Sequence, residues 1–449
     1  MYSDLVDLEK GYILDINGWI YLHVEGEPYD RGFQHGYLIG PRIKESIEKI
    51  SLWGRHDLQK DWDFFRATAE KYYVPKVPTE YKREIEGIVD GAKAKGTDVD
   101  YVDIVALNGW MDTGFSIDYF KAQEKAKSES SRSVGPEKCS AFIATGSWTK
   151  DGEIVVTQNS WWHYLVASHW NVILHSKPKN GHEMLMQSNA GFIFSGPDFY
   201  INSGGILLSS TTISKVVTMN PEGTPSFVRG RQAMQYADNI DDWVSTIMKD
   251  NNGGTPNTWN IGDAKTGEIA CLELATYNHK LQRTKDGYFV GSNWALDPVI
   301  REKETKFDYL DTSSNAFARY IRWQQLMRLH KGEIDAEMAK KFMADHFDTS
   351  LNKESPSSCT MCGHVENDPR GIPESALGPY YPCGAYDGKV TTSKLALKGA
   401  AWFKWGKSCE MGFNAKQFLE AHPEYKWQEP LLEDIPSYPY ALVRAYPWR

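Results

Sequence analysis

Apolar and polar positions change their period twice along this chain. Residues 11–27 alternate around Asn17-Gly18, the pattern of a β-hairpin with a two-residue turn. Beyond it, Phe33, Tyr37, Ile43, Ile47 and Ile50 recur at three- to four-residue steps, which predicts a helix capped by Asp30. Ile85, Ile88 and Val89 predict a second helix capped by Thr79. Residues 1 to about 120 therefore read as mostly helical. The period then shortens to two. Residues 139–145 and 153–159 flank a Lys150-Asp151-Gly152 turn, again a hairpin, and strand-like runs follow at 170–175, 205–213, 258–262, 268–274 and 288–291. A second helical block, 316–346, precedes a loop-rich tail with several Pro and Gly, mixed in its elements. Helices, then strands, then helices, without βαβ alternation, predict an α+β fold with antiparallel sheets.

Where the period changes, the composition changes with it. Residues 121–138, KAQEKAKSESSRSVGPEK, hold no aromatic and many Lys, Glu and Ser, and so read as a solvated linker. Cys139 follows it directly and begins a strand. Cleavage of the Lys138–Cys139 bond would give one residue both a thiol and a free α-amine. An α-amine titrates near ~7.7–8.0, so it can serve as general base for its own side chain. The plain alternative is a cysteine that starts a buried strand in a non-catalytic binding module.

Other chemistries find less support. The formal charge is −9, with acidic residues spread along the chain, which argues against nucleic acid as a partner. No apolar run reaches the ~18 residues of a membrane span, and the first residues lack the pattern of a signal peptide. The sequence as given thus reads as soluble and cytoplasmic, or as secreted or periplasmic if a leader has been removed. Six cysteines are too few for a disulfide scaffold, and no Asn-X-Ser/Thr sequon occurs. Phosphate-binding glycine loops and HExxH are absent, so no cofactor and no metal are expected. Cys359-Thr-Met-Cys362-Gly-His364 has metal-like spacing but lacks a second ligand pair nearby, and Asp345-His346-Phe347-Asp348 reads as a helix end. Sixteen Trp and 24 Tyr supply large rigid apolar surfaces for a core or a pocket.

Cys139-Ser-Ala-Phe-Ile-Ala-Thr-Gly, with Thr149-Lys-Asp-Gly-Glu-Ile-Val-Val-Thr-Gln-Asn-Ser-Trp161, resembles the self-processing N-terminal-nucleophile hydrolases of the phospholipase B-like and penicillin acyltransferase-like (C45) group. Tyr29-Asp-Arg-Gly-Phe-Gln-His-Gly36, Ser195-Gly-Pro-Asp-Phe-Tyr200, Ser210-Thr-Thr-Ile213 and Asn257-Thr-Trp-Asn-Ile-Gly-Asp263 extend the likeness over nearly the whole chain. The resemblance implies a four-layer αββα sandwich, with residues 1–138 and 139–449 forming one domain whose two fragments stay associated after cleavage. It implies Cys139 as nucleophile and Asn257 as oxyanion donor, with Asn260 the competing choice. Gln158, Asn159, Trp161, Thr211, Thr212 and Arg283 become pocket or supporting residues. The phospholipase B-like branch usually has His at the position of Gln158, and the acyltransferase branch Asp at that of Trp161. The implied substrate is a small-molecule acyl amide, cleaved by hydrolysis or acyl transfer through a thioester. A lipid acyl ester is the alternative.

Overall fold

The computed structural model describes residues 10–123, 138–446 and 448. The first hairpin forms as its sequence predicts: Tyr12–Ile16 pairs with Trp19–Gly26, and Asn17 and Gly18 both adopt positive φ, 51° and 81°. A two-residue turn with that geometry matches the twist of the strands it joins. The helix expected from Asp30 begins earlier, at Pro28, whose fixed φ suits a first turn, and runs to Trp53. Thr79–Ala94 packs closely on it. Gly32 and Gly36 face Gly87 and Gly91, and a Cβ on any of the four would come within 2.2 Å of backbone oxygen.

Two sheets make the middle of the molecule among the described residues. The first holds nine strands in the order Tyr12–Ile16, Trp19–Gly26, Val172–Pro178, Met184–Ser188, Phe199–Asn202, Ile206–Thr212, Asn257–Asp263, Glu268–Leu274 and His279–Thr284. Neighbours are antiparallel, except that Trp19–Gly26 and Val172–Pro178 run parallel. The second sheet runs Gly287–Gly291, Lys138–Gly146, Gly152–His163, Asp387–Thr392, Ala400–Trp405 and Ala441–Arg444, with Cys383–Ala385 added beside Gly152–His163.

Period-two alternation decides what each strand faces. Phe142, Ala144 and Val155 pack with Trp323, Leu326, Phe342 and Met343 of the helices Asn315–Leu329 and Ala336–Met343. Ile143, Ile154 and Val156 point the other way, into the large core shared with Leu207 and Ile261 of the first sheet. Pro28–Trp53 packs on the strands Trp19–Gly26 and Val172–Pro178, while Ile240–Met248 packs on Asn257–Asp263 and Glu268–Leu274. The fold is an α+β sandwich, sheet on sheet with helices outside both.

Of the linker, residues 121–123 close the helix Ile117–Gln123 and Lys138 opens a strand; 124–137 lie outside the described residues. The 316–346 block holds two helices, Asn315–Leu329 and Ala336–Met343, with Gly332 between them at a φ of 84° that no continuing helix allows. One expectation is refined. The loop-rich tail supplies four strands of the second sheet: Cys383–Ala385 and Asp387–Thr392 pair with Gly152–His163, and Ala400–Trp405 and Ala441–Arg444 add outward from Asp387–Thr392.

Candidate active site

Cys139, Ala141 and Ile143 share one face of their strand, so the thiol points between the sheets. Ser160 and Gln158 lie directly opposite Cys139 and Ala141 in register and share that face. The thiol opens into a narrow pocket together with Gln158, Ser160, Trp161, Asp198, Ser210 and Thr212, and with the rings of Phe115, Trp162, Trp170 and Tyr386. Asp198, Gly196, Thr255 and Met111 also border a second, narrow pocket, whose lining includes Phe194, Met234, Trp243, Ile247, Trp259 and Leu274. A polar wall at the thiol thus continues into an apolar hollow.

The backbone of Cys139 is held from both sides. Its N–H donates to Asn293 Oδ1 at 3.2 Å, and its carbonyl accepts from Arg319 Nη1 at 2.6 Å. Arg319 also donates to Asn293 Oδ1 at 2.8 Å, and its guanidinium lies 4.6 Å above the Trp161 ring. Asn293, with φ of 67°, completes the cradle by donating from Nδ2 to the Thr212 carbonyl at 2.7 Å. Burial pushes the Cys139 thiol up to about 11, against a hydrogen bond from the Trp161 N–H and the positive charges of Lys389 and Arg319. Burial also lowers Arg319, to about 10. With the chain intact, the thiol is overwhelmingly protonated at neutral pH.

Below the thiol lies a buried polar network. Lys389 Nζ donates to Ser160 Oγ at 2.5 Å, pairs with Asp387 Oδ2 at 3.0 Å and reaches Gln187 Oε1. Asp387 accepts from the Ser160 N–H at 2.8 Å and from Gln187 Nε2 at 2.8 Å. Burial drives both members of the ion pair toward their neutral forms, Lys389 down and Asp387 up.

Asp198 is the acidic group on the pocket wall. Its Oδ2 accepts from Ser210 Oγ and Asn257 Nδ2, each at 2.8 Å, yet burial raises its pKa to about 7. A carboxyl raised from 3.8 to about 7 by folding binds more protons in the native than in the unfolded state over that interval, so its contribution to stability is lost as pH climbs from about 4 to about 7. Asp198→Asn tolerates the same left-handed backbone, φ 55°, and removes the titration. Its thermal midpoint is expected to gain on the wild type as pH rises through that window. A gap that stays constant across pH would show that Asp198 is not the titrating group.

The structure brings together part of the residue set expected from sequence. Cys139, Gln158, Trp161 and Thr212 line the thiol pocket, and Asn257 lines the adjoining hollow. Gln158 spends its amide on the Pro197 and Ser210 carbonyls, fixing the wall that carries Asp198. Thr211 and Asn260 lie on the opposite strand face, which meets the second sheet where Gly262 and Leu207 approach Ile143. The Thr211 hydroxyl and both polar atoms of the Asn260 amide are buried there without hydrogen-bond partners. Asn159 points away from the thiol and binds the Met343 and Met361 carbonyls. Arg283 does hold carboxylates, but those of Glu268 and Asp241 near the surface, and it lines neither pocket. Sequence reasoning did not single out Asp198, Asn293, Arg319, Ser160 or Lys389. The one local signal was charge within a strand, Asp387-Gly-Lys389, where a solvated or paired role is equally natural.

What fold and pocket define is a class: an α+β sandwich whose strand-leading thiol opens into a largely apolar hollow. The family model for phospholipase B matches residues 56–271, which includes Cys139, Asp198 and Asn257. The chain is similar to an uncharacterized protein of Archaeoglobus fulgidus, 30% identical over 59% of this chain and 45% of that protein. It is also similar to phospholipase B-like 1 of Homo sapiens, 22% identical over 88% of this chain and 76% of the human protein, and to that of Rattus norvegicus, 26% identical over 84% and 71%. The alignment thus spans less than half of the archaeal relative. Among the described residues, no helix is long and apolar enough to cross a membrane.

Proposed function

We propose that this protein is a cysteine-nucleophile acyl hydrolase, activated by cleavage of its own Lys138–Cys139 bond and acting on non-peptide N-acyl amides. The similarity to phospholipase B-like proteins supports a hydrolase. The observation that carries the mechanism is the position of Cys139: its sulfur lines the pocket while its N–H rests on Asn293 Oδ1. Cleavage turns that N–H into an α-amine held in the same cradle, beside the thiol it must deprotonate. Such an amine, titrating near ~8, keeps a usable neutral fraction near neutral pH and is a competent base.

The free amine takes the thiol proton, and the sulfur attacks the substrate carbonyl. Asn257 keeps one N–H on Asp198 and has a second for the developing oxyanion. Collapse forms the thioester and expels the amine, which leaves with the proton. Water, activated by the same α-amine, then releases the acid; an acceptor amine in its place gives acyl transfer. The apolar hollow beyond Asp198 suits the acyl chain.

That hollow, together with the similarity to phospholipase B-like proteins, favours a second reading in which the leaving group is an alcohol and the substrate a lipid acyl ester. Assaying one panel of N-acyl amides and phospholipid or lysophospholipid esters separates the two. Amide turnover supports the first reading, and turnover of esters alone hands the case to the second.

Activation has its own test. Under denaturing conditions the mature protein is expected to run as two chains, residues 1–138, or shorter if the linker is trimmed, and 139–449 with Cys139 at its N-terminus. Under native conditions the two should travel together, because buried residues from before and after the cut, such as Trp19, Ile88, Ile143 and Phe403, belong to one core. An active preparation that remains a single chain would exclude the α-amine as base.

A further inference from the structure

Outside the thiol pocket, four side chains from separate parts of the sequence converge: His346, Cys362, His364 and Cys409. One nitrogen or sulfur from each lies within 4.8 Å of all the others, and three of the four residues are buried. We propose that they hold a structural zinc ion.

The donor set suits zinc, which takes tetrahedral nitrogen and sulfur ligands. With zinc–nitrogen bonds of about 2.0–2.1 Å and zinc–sulfur bonds of about 2.3 Å, the edges of such a tetrahedron are about 3.3 Å between two nitrogens and about 3.6 Å between nitrogen and sulfur. His346 Nε2 and His364 Nε2 are 3.0 Å apart, and Cys409 Sγ lies 3.6 Å from His364 Nε2. These two pairs lie within a few tenths of an ångström of their tetrahedral edges, and the other pairs, all within 4.8 Å, close the rest of the way by side-chain adjustment on an ion.

The surroundings add two features of metal sites. His364 Nδ1 lies 3.1 Å from Glu366 Oε1, an arrangement that leaves Nε2 with its lone pair toward the cluster. Glu366 is itself fixed by Lys407 Nζ at 2.8 Å and Tyr164 OH at 2.8 Å. Cys409 Sγ accepts the Met411 N–H at 3.4 Å, a contact that suits a thiolate. On binding, both thiols give up their protons to solvent, and two thiolates neutralise the dication, as a buried site requires. Four protein ligands close the tetrahedron and leave no open position, so the role is structural.

The ion would tie the turn at 362–364 to the chain at 409, and both are anchored to the strand behind the thiol pocket. Asn159 donates to the Met361 carbonyl at 3.0 Å and accepts from Ser408 Oγ at 2.6 Å. Gly363, at φ 58°, lies so close to Trp161 that a Cβ would come within 2.3 Å of the indole. Sequence spacing assigned Cys362 and His364 to packing because the partner pair, His346 and Cys409, comes from 16 residues before Cys362 and 47 residues after it.

Full-length protein expressed with zinc and purified without chelators is expected to carry one zinc per chain by elemental mass spectrometry. Cys362→Ser and Cys409→Ser should lose it, whereas Cys359→Ser, three residues from Cys362 but outside the cluster, should keep it. Cobalt substitution of the wild type should give thiolate-to-metal charge-transfer absorption, and this arm decides the matter if the serine variants do not fold. Substoichiometric zinc with no cobalt–thiolate bands, a Cys362–Cys409 disulfide found by peptide mass mapping, or equal metal loss in Cys359→Ser would each overturn the proposal.

Discussion

Cys139→Ala is expected to give a chain that stays in one piece on a denaturing gel and turns over no substrate, with kcat/KM at least ~10⁴-fold below that of the wild type. Both losses have one cause: the same sulfur must attack the Lys138 carbonyl during maturation and the substrate carbonyl afterwards. The change is sterically mild, since alanine only removes the sulfur from a partly buried site whose backbone bonds to Asn293 and Arg319 remain. A normal thermal midpoint would separate lost chemistry from lost structure. Cys139→Ser is expected to cleave slowly and turn over poorly, because a hydroxyl is the weaker nucleophile. If Cys139→Ala matches the wild type on any substrate, the pocket is a binding site and the non-catalytic reading stands.

The second large effect is expected at Asn257. Asn257→Asp is nearly isosteric but exchanges an amide donor for a carboxylate, 2.8 Å from Asp198 Oδ2 in a buried site. Two carboxylates at that distance do not both ionise, so one proton bridges the pair and no donor remains for the oxyanion. We expect kcat to fall at least ~10²-fold with little change in KM, the signature of an interaction made only in the transition state. Acid should not restore the rate, because lowering the pH enough to protonate the second carboxyl also protonates the α-amine. Unchanged turnover would remove Asn257 from the chemistry. Asn260 would then be the next candidate: it lies between the sheets, where the thiol also points, and both polar atoms of its amide are unpaired, although it lines neither pocket.

Much of the fold is legible in the sequence because it follows from short-range rules. Asn17-Gly18 specifies its turn by backbone geometry alone, and alternation from Cys139 to Thr145 specifies a strand with one face toward the other sheet. Glu268–Leu274 forms over the residues its pattern marks. Met184–Ser188 and Phe199–Asn202 are not legible in the same way. Both are buried along their length, so they show no alternation, and each is only four or five residues long. In the tail, Cys383–Ala385, Asp387–Thr392 and Ala400–Trp405 likewise lack alternation because they are buried almost throughout, and Ala441–Arg444 is only four residues long.

The site divides along the same line. The sequence by itself determined that a thiol stands at the head of a strand, just after a polar linker, because that depends only on which residues are adjacent in the chain. Tertiary structure decided what surrounds the thiol. Asn293 lies 154 residues from Cys139 and reaches it because Gly287–Gly291 pairs with Lys138–Gly146, which delivers the end of one strand to the start of the other. Arg319 arrives on the helix packed behind that sheet, and Asp198 from the loop before Phe199–Asn202. Arg283 shows the converse: its chemistry suits a carboxylate, but the edge strand His279–Thr284 takes it to Glu268 and Asp241. Strand order and register set these encounters. They are fixed by the packing of the whole chain, and no local run of residues carries them.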